Sequence, residues 1–217
     1  MSSNPTPIDQ QLAPPGGWHA ATTARIAPLK VAQLPLTMRA LLWAAGKWAK
    51  KSTGLAGIPD VFLLLMRHRR LFRPWVRFAS RLMPYGILDR RDTELAILRV
   101  GWNTRCRYEW GQHVPIGLRA GLTAAEIARI AQGPQASGWT PAQAALLQAT
   151  DELHAHRLIA EATWQRLAQH YSARQLIEIG MLVGHYEMLA GVLNSVGLAL
   201  EPPVEARLAQ APIHGAA

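Results

Sequence analysis

Apolar side chains recur every three to four positions through most of the chain between residues 60 and 200. This spacing predicts amphipathic helices, because one helical turn takes 3.6 residues. No stretch alternates apolar and polar residues as a half-buried strand does, so we expect an all-α fold. The predicted helices are Leu36–Lys51, 60–70, one that ends before Met83, 89–103, 106–121, 123–132, one that begins at Pro141, 159–170 and 173–200.

Capping residues mark several of these boundaries. Thr123 and Glu126 form the pattern of a capping box, in which each side chain accepts the other residue's backbone N–H. Thr140-Pro141 is a typical start of a helix, with an N-cap and a proline at the first position. Asp89 can cap its helix, and Asp92 at the third position suggests a partial capping box.

The pattern also divides the chain into regions. Prolines and glycines without periodicity predict an extended arm over residues 1–35, and an additional helix and linker follow over 36–58. The helical domain covers 59–201, and the tail over 202–217 has little pattern. Within the domain we expect Trp164 and Leu167 to be buried. On the last helix we expect His185 to share one side with Ile177, Met181, Met188 and Val192.

Composition supports one globular domain with an appendage. The chain has 217 residues, and 49% of them are apolar. A single cysteine excludes an intramolecular disulfide framework and fits a reducing compartment. The N-terminus does not show the pattern of a secretory signal. The most apolar window, Leu176–Leu200, contains two glutamates, a histidine and an asparagine, which is too polar for a lipid-exposed span. We therefore expect a soluble, cytoplasmic protein.

The net charge of +9 is concentrated in the first ninety residues, which hold thirteen Lys/Arg and three acidic residues. Arg73, Arg77 and Arg81 form a cationic stripe at four-residue spacing. Such a stripe is usually a solvated face, although it could also attract an acidic substrate. No nucleic-acid-binding motif accompanies it. The helix Leu36–Lys51 is more typical of packing on the body or on another subunit than of contact with a membrane surface.

The candidate chemistry lies on one helix, where Cys106, Glu109 and His113 fall within a narrow arc beside Trp110. Glu109 and His113 are four residues apart and can form a hydrogen bond. Glu94, one helix upstream, could orient the imidazole. A histidine is the usual general base near neutral pH. The alternative is a buried polar network that only fixes the packing of helices.

Four segments resemble the carboxymuconolactone decarboxylase family, which includes the alkylhydroperoxidase D-like proteins. They are Arg91–Val100, Tyr108–Ile116, Ala120–Ile127 and Val183–Asn194. The resemblance extends over approximately residues 60–200. It implies an all-helical domain of the alkylhydroperoxidase D-like type that assembles into homo-oligomers.

The resemblance also bears on the site. The peroxidase branch of the family is similar at Glu94, Cys106 and His113 but needs a second cysteine, and Glu109 occupies that position here. One thiol cannot close a dithiol cycle within the chain. The resemblance to the decarboxylase branch implies that His113 is the acid/base residue, assisted by Glu109 and Glu94. We predict neither a metal nor another cofactor.

Other residues have two interpretations each. Cys106 begins a helix, where the dipole favours a thiolate, but most lone cysteines are small core residues. His185 is either a core histidine or a second acid/base residue facing His113. Three aromatic residues could wall a pocket or belong to the core: Tyr108, Trp110 and Tyr186.

The main hypothesis is therefore a small, cofactor-free enzyme that transfers protons on an organic acid, lactone or carbonyl compound, with decarboxylation or isomerisation as the outcome. A second hypothesis is an antioxidant that uses Cys106 with an external thiol. A third is a non-catalytic oligomeric module whose basic half binds an anionic surface, in a salt-dependent way. In each case we expect a homo-oligomer.

Overall fold

A computed structural model describes residues 12–19, 23–34, 36, 39 and 58–211. Within these residues the chain forms nine α-helices and a short 3-10 helix, and no strand. The α-helices are α1 (Asp60–Leu65), α2 (Arg69–Leu82), α3 (Arg90–Asn103), α4 (Arg107–Arg119), α5 (Ala124–Ile130), α6 (Pro141–His156), α7 (Glu161–Ala168), α8 (Ala173–Val196) and α9 (Pro202–Gln210).

Helix α3 forms the centre of the fold. Its residues Leu95–Leu98 are fully buried on every side, which is typical of a helix enclosed by others. It packs against α4, α6 and α8, while α9 packs on α4 and α7 packs on α6. Because α3 and α4 run antiparallel in close contact, side chains on their facing turns can meet.

The predicted caps are largely confirmed. The Thr123–Glu126 and Thr140–Gln143 capping boxes are both formed. The Asp89 carboxylate accepts the backbone N–H of Arg91 at 2.8 Å. The partial box with Asp92 is wrong, because the Asp92 carboxylate accepts the hydroxyl of Tyr171 at 2.9 Å instead.

The helix predicted over 60–70 is two helices. Helix α1 ends at Leu65, and α2 begins at Arg69. His68 lies between them, and its Nδ1 accepts the N–H of Leu71 at 3.2 Å, which caps α2. Periodicity did not show the break, because both helices bury apolar residues.

Two predictions near the C-terminus are corrected. Leu167 is buried as predicted, but Trp164 is 38% exposed because α7 presents only one narrow side to the core. Helix α8 ends at Val196, where Gly197 takes a left-handed conformation. The tail contains α9, which buries Val204 and Leu208 and was missed from the sequence.

The predicted common side of α8 is also wrong. His185 is 6% exposed and packs on α2, against the rings of Trp75 and Phe78. Four apolar residues expected beside it instead face outward and are 40–67% exposed: Ile177, Met181, Met188 and Val192. Helix α8 has the length and composition of a membrane span, and 44% of its most apolar window is buried in the fold.

The described part of the N-terminal arm lies against the helical domain. Trp18 packs on Trp102 and Trp110, with ring centroids 5.6 and 5.5 Å away. The Arg105 guanidinium donates to the carbonyl of Gly17 at 2.5 Å. Aromatic packing and this hydrogen bond together fix the segment around Trp18. The predicted helix Leu36–Lys51 lies, except for positions 36 and 39, outside the described residues.

Candidate active site

A cavity of about 480 Å³ lies between α2, α4 and α8, with the start of α1 at one end. Small-molecule sites typically have volumes of about 300–1,000 Å³. One face of α4 lines the cavity from Tyr108 to Ala120, a distance of about 18 Å along the helix axis. Aromatic and aliphatic side chains from α2 and α8, including Trp75, Met83 and Leu189, form most of the opposite walls.

Close packing fixes α4 in place. A Cβ added at Gly111 would lie 2.3 Å from Cδ1 of Leu200, so no larger residue fits there without movement. On the side facing α3, a Cβ added at Gly101 would lie 3.3 Å from the backbone nitrogen of Trp110. The cavity face of α4 is therefore held against a rigid support.

His113 occupies the middle of this face and is held by a carboxylate from α3. Its Nδ1 lies 2.7 Å from Oε2 of Glu94, which is fully buried. The other Glu94 oxygen pairs with Arg90, one turn earlier, at 2.7 Å. The carboxylate fixes the orientation of the imidazole and favours Nδ1–H, which leaves Nε2 for a bound molecule.

Glu109 also lines the cavity, but it stands apart from this pair. Both of its carboxylate oxygens are buried and have no hydrogen-bond partner. Burial, and secondarily the negative charge of Glu187, raises the pKa of Glu109 well above its usual value. The hydrogen bond predicted between Glu109 and His113 is not formed. Packing of α3 on α4 brings Glu94 to the imidazole and leaves Glu109 without a hydrogen-bond partner in an apolar wall.

His185 and Tyr186 bring the middle of α8 to the cavity. The ring of His185 stacks on Trp75 with centroids 5.9 Å apart, and Nδ1 of His185 is buried without a hydrogen-bond partner. Burial lowers the pKa of His185 to about 4, so it is uncharged near neutral pH. The Tyr186 ring meets His185 and His113 edge to face, at 5.3 and 5.2 Å. The structure thus brings both histidines to one cavity.

A polar network closes the α1 end of the cavity. The Tyr108 hydroxyl donates to Glu201 at 2.8 Å and accepts the N–H of Val61 at 3.0 Å. The Gln112 side-chain amide donates to the other oxygen of Glu201 at 2.6 Å. Tyr108, expected as a pocket wall, is therefore also an anchor for the start of α1.

Two of the expected site residues do not reach the cavity. Cys106 is the N-cap of α4 and is fully buried in the core. Burial, followed by the charge of Glu109, raises the pKa of its thiol well above the usual value, so desolvation outweighs the helix dipole. Trp110 points away from the cavity, into the cluster with Trp18 and Trp102.

Sequence reasoning missed four residues of this region: Arg90, Trp75, Gln112 and Glu201. Arg90 had a usable signal, because it precedes Glu94 by four residues. The contacts of Trp75 and Glu201 depend on tertiary packing and had none. Within the described residues, no group of three or more His, Cys, Asp or Glu side chains could hold a metal ion.

Comparison with known proteins agrees with this architecture. The sequence model of the carboxymuconolactone decarboxylase family matches residues 69–152, which confirms the predicted family. No curated protein matches the chain in sequence.

Solved structures share the fold. A peroxidase-related protein with an alkylhydroperoxidase AhpD core, from Ralstonia eutropha JMP134, superposes with a TM-score of 0.72 at 19% identity, over 86% of this chain and 96% of that one. A variant of the debrominase Bmp8 in complex with 2,3,4-tribromopyrrole superposes with a TM-score of 0.70 at 13% identity, over 88% of this chain and 98% of that one. A peroxidase-related protein from Silicibacter sp. TM1040 superposes with a TM-score of 0.71 at 12% identity, over 87% of this chain and 98% of that one. The predicted all-α fold of the AhpD-like type is confirmed.

Proposed function

Since residues 69–152 belong to the carboxymuconolactone decarboxylase family, we propose that this chain is a cofactor-free enzyme of proton transfer. Its substrate is a largely apolar organic acid, lactone or carbonyl compound, and the outcome is decarboxylation or isomerisation. His113 is the acid/base residue, Glu94 positions it, and Glu109 is a proton donor.

One observation carries the proposal: an imidazole held at Nδ1 by a buried carboxylate faces an apolar cavity that also contains a buried carboxyl group with a raised pKa. The Nδ1–Glu94 distance of 2.7 Å keeps the ring in one orientation. A carboxylate at this place stabilises the imidazolium that forms when Nε2 takes a proton. Arg90 pairs with the second carboxylate oxygen of Glu94.

The reaction needs two coordinated transfers. Nε2 of His113 removes a proton from a carbon next to a carbonyl, and the C–H electron pair forms a C–C double bond. The carbonyl oxygen takes the proton of Glu109, which gives an enol. In a conjugated substrate, the imidazolium gives the proton to a carbon further along the dienol, while the enol O–H proton returns to Glu109 and the carbonyl forms again; this is an isomerisation. Alternatively, Nε2 takes the proton of a substrate carboxylic acid, the bond from carbon to the carboxylate breaks as CO₂ leaves, and the imidazolium protonates the carbanion that remains.

The burial of Glu109 suits this role. A carboxylic acid donates a proton only while it is protonated, and burial favours that form. The apolar walls also exclude water, which strengthens hydrogen bonds at the site. A structural carboxylate would instead be expected to have hydrogen-bond partners, and both Glu109 oxygens lack them.

The test is proton exchange measured by NMR in D₂O. A panel of carbonyl compounds, lactones and β-keto acids is incubated with the wild-type protein, His113→Gln and Glu109→Gln. Deuterium incorporation and loss of CO₂ are followed. His113→Gln should lower the rate by about 10²-fold or more, because a positioned general base contributes about 10²–10⁴. Glu109→Gln should fall between the two proteins, because its amide still donates a hydrogen bond.

Cys106→Ala is the matched control, since the thiol lies outside the cavity. We expect its rate to stay within a few-fold of the wild type. Peroxide reduction with an external thiol is measured in parallel. Full activity of His113→Gln, or a folded Cys106→Ala protein without activity, would contradict proton transfer and favour the thiol hypothesis.

We also propose that the protein is a cytoplasmic homo-oligomer that packs through α8. The outward face of α8 carries Ile177, Met181 and Met188, and Gly184 lies among them with open space around it. Exposed apolar surface of this kind is typical of interfaces. Light scattering at micromolar concentration should give a multiple of the 23.9 kDa chain mass, and a monomer mass would overturn the proposal.

A further inference from the structure

The buried polar atoms without partners are concentrated at the cavity. Among the described residues, such atoms belong to Trp75, Glu94, Glu109 and His185, and the Glu94 oxygen is ion-paired with Arg90. The other three residues all line the cavity. Buried polar groups are nearly always hydrogen-bonded, and leaving one without a partner is unfavourable. A bound molecule would supply the missing partners.

Trp75 and His185 form one unit of the cavity wall. Their rings stack with centroids 5.9 Å apart and an interplanar angle of 26°. Phe78 and Tyr186 each meet the His185 ring edge to face, with centroids 5.5 and 5.3 Å away. The stacked pair is thus held in place before any molecule binds.

The two ring nitrogens without partners restrict which ligand groups can bind to this pair. Trp75 Nε1 can only donate, whereas Nδ1 of an uncharged histidine either donates or accepts. Neither group carries a charge at neutral pH, since burial lowers the pKa of His185 to about 4. A charged ligand group would gain no ion pair here. A hydroxyl or carbonyl oxygen can accept from the indole and bond to the imidazole. The surrounding rings favour a planar ring as its carrier.

We propose that Trp75 and His185 form a polar subsite that binds a hydroxyl or carbonyl group on a planar ring of the substrate. This assignment rests on the proposed function only in taking the cavity as the substrate site. It separates binding, through Trp75 and His185, from proton transfer, through His113 and Glu109. The substrate class is therefore a hydroxylated or oxo-substituted ring compound.

Two probe molecules of similar shape test the subsite without turnover. 2-Naphthol and 2-methylnaphthalene differ in a hydroxyl group against a methyl group. Equilibrium dialysis at pH 7 gives the Kd of each probe, and the measured quantity is the ratio of the two values. Comparing this ratio between variants cancels the difference in hydrophobicity between the probes.

The Kd of 2-naphthol divided by that of 2-methylnaphthalene should rise about 5-fold in Trp75→Phe and in His185→Phe, because each variant loses one hydrogen bond to the hydroxyl. Ile116→Val is the matched control, because it changes the α4 wall of the cavity without removing a polar atom, so both Kd values should move together. Circular dichroism checks folding. If Trp75→Phe does not fold, His185→Phe decides the result.

Probe binding separates this inference from the proposed function, because it is measured without turnover and does not depend on proton exchange. A shifted ratio in the two subsite variants together with no exchange by the wild type would keep the subsite and overturn the proposed function. The subsite is refuted if both subsite variants keep the wild-type ratio, if Ile116→Val shifts it equally, or if the wild type binds neither probe.

Discussion

Replacing Glu109 with Gln should stabilise the protein at neutral pH. Burial raises the pKa of Glu109 well above its usual value of 4.5, so the folded protein keeps a proton that the unfolded chain releases. The stabilising contribution of the protonated form is fully present below pH 4.5 and is lost as the pH rises towards the folded pKa. Glutamine is uncharged in both the folded and the unfolded state, so position 109 of the variant adds no pH dependence to the free energy of unfolding.

The magnitude follows from linkage. Each pH unit between the unfolded and folded pKa lowers the free energy of unfolding by about 1.4 kcal/mol. The cost of the carboxyl group relative to glutamine therefore accumulates over the whole interval between pH 4.5 and the folded pKa. For a chain of this size each pH unit of that interval corresponds to a difference in Tm of roughly 3–6 °C. Any packing cost of the amide is independent of pH, so the pH dependence isolates the ionisation effect.

The assay is urea unfolding of the wild type and Glu109→Gln at pH 4.5, 6, 7 and 8. The difference in free energy of unfolding should increase with pH and then become constant. Glu94→Gln is the control of opposite sign, because it breaks the buried contacts with Arg90 and His113 and should cost about 3 kcal/mol. A difference that stays constant with pH, or that shrinks as pH rises, would refute the reasoning.

Three further predictions concern packing. Cys106 is fully buried, so iodoacetamide should alkylate it in urea and leave the native protein unmodified by mass spectrometry; rapid native labelling would contradict the burial. Gly111→Ala should lower the free energy of unfolding by about 1 kcal/mol, because the clash of the new Cβ with Leu200 costs about 2 kcal/mol and the higher helix propensity of Ala offsets about 1 kcal/mol; an unchanged urea midpoint would show that α4 is not tightly held. Gly184→Ala has open space and should stabilise the isolated protomer by up to about 1 kcal/mol. It should also weaken the proposed assembly, as measured by light scattering over a concentration series, whereas an unchanged mass would place the interface elsewhere.

Periodicity and capping chemistry determined most of the helices. The capping boxes at Thr123 and Thr140 satisfy backbone N–H groups locally, so they can be recognised without the tertiary structure. The spacing of Glu109 and His113 likewise placed both on one face of α4, and both line the cavity. Helix α9 was missed, although Pro202 at its first position is a typical start signal.

Only the tertiary structure decided which groups meet. His113 pairs with Glu94 across the α3–α4 contact and not with Glu109 on its own helix, because antiparallel packing brings the α3 carboxylate to Nδ1. The same packing deprives Glu109 of partners and buries Cys106 away from the cavity. His185 faces the cavity because α2 covers that side of α8. Sequence periodicity indicates which face of a helix is apolar, whereas burial of that face and partners across helices depend on how the helices pack.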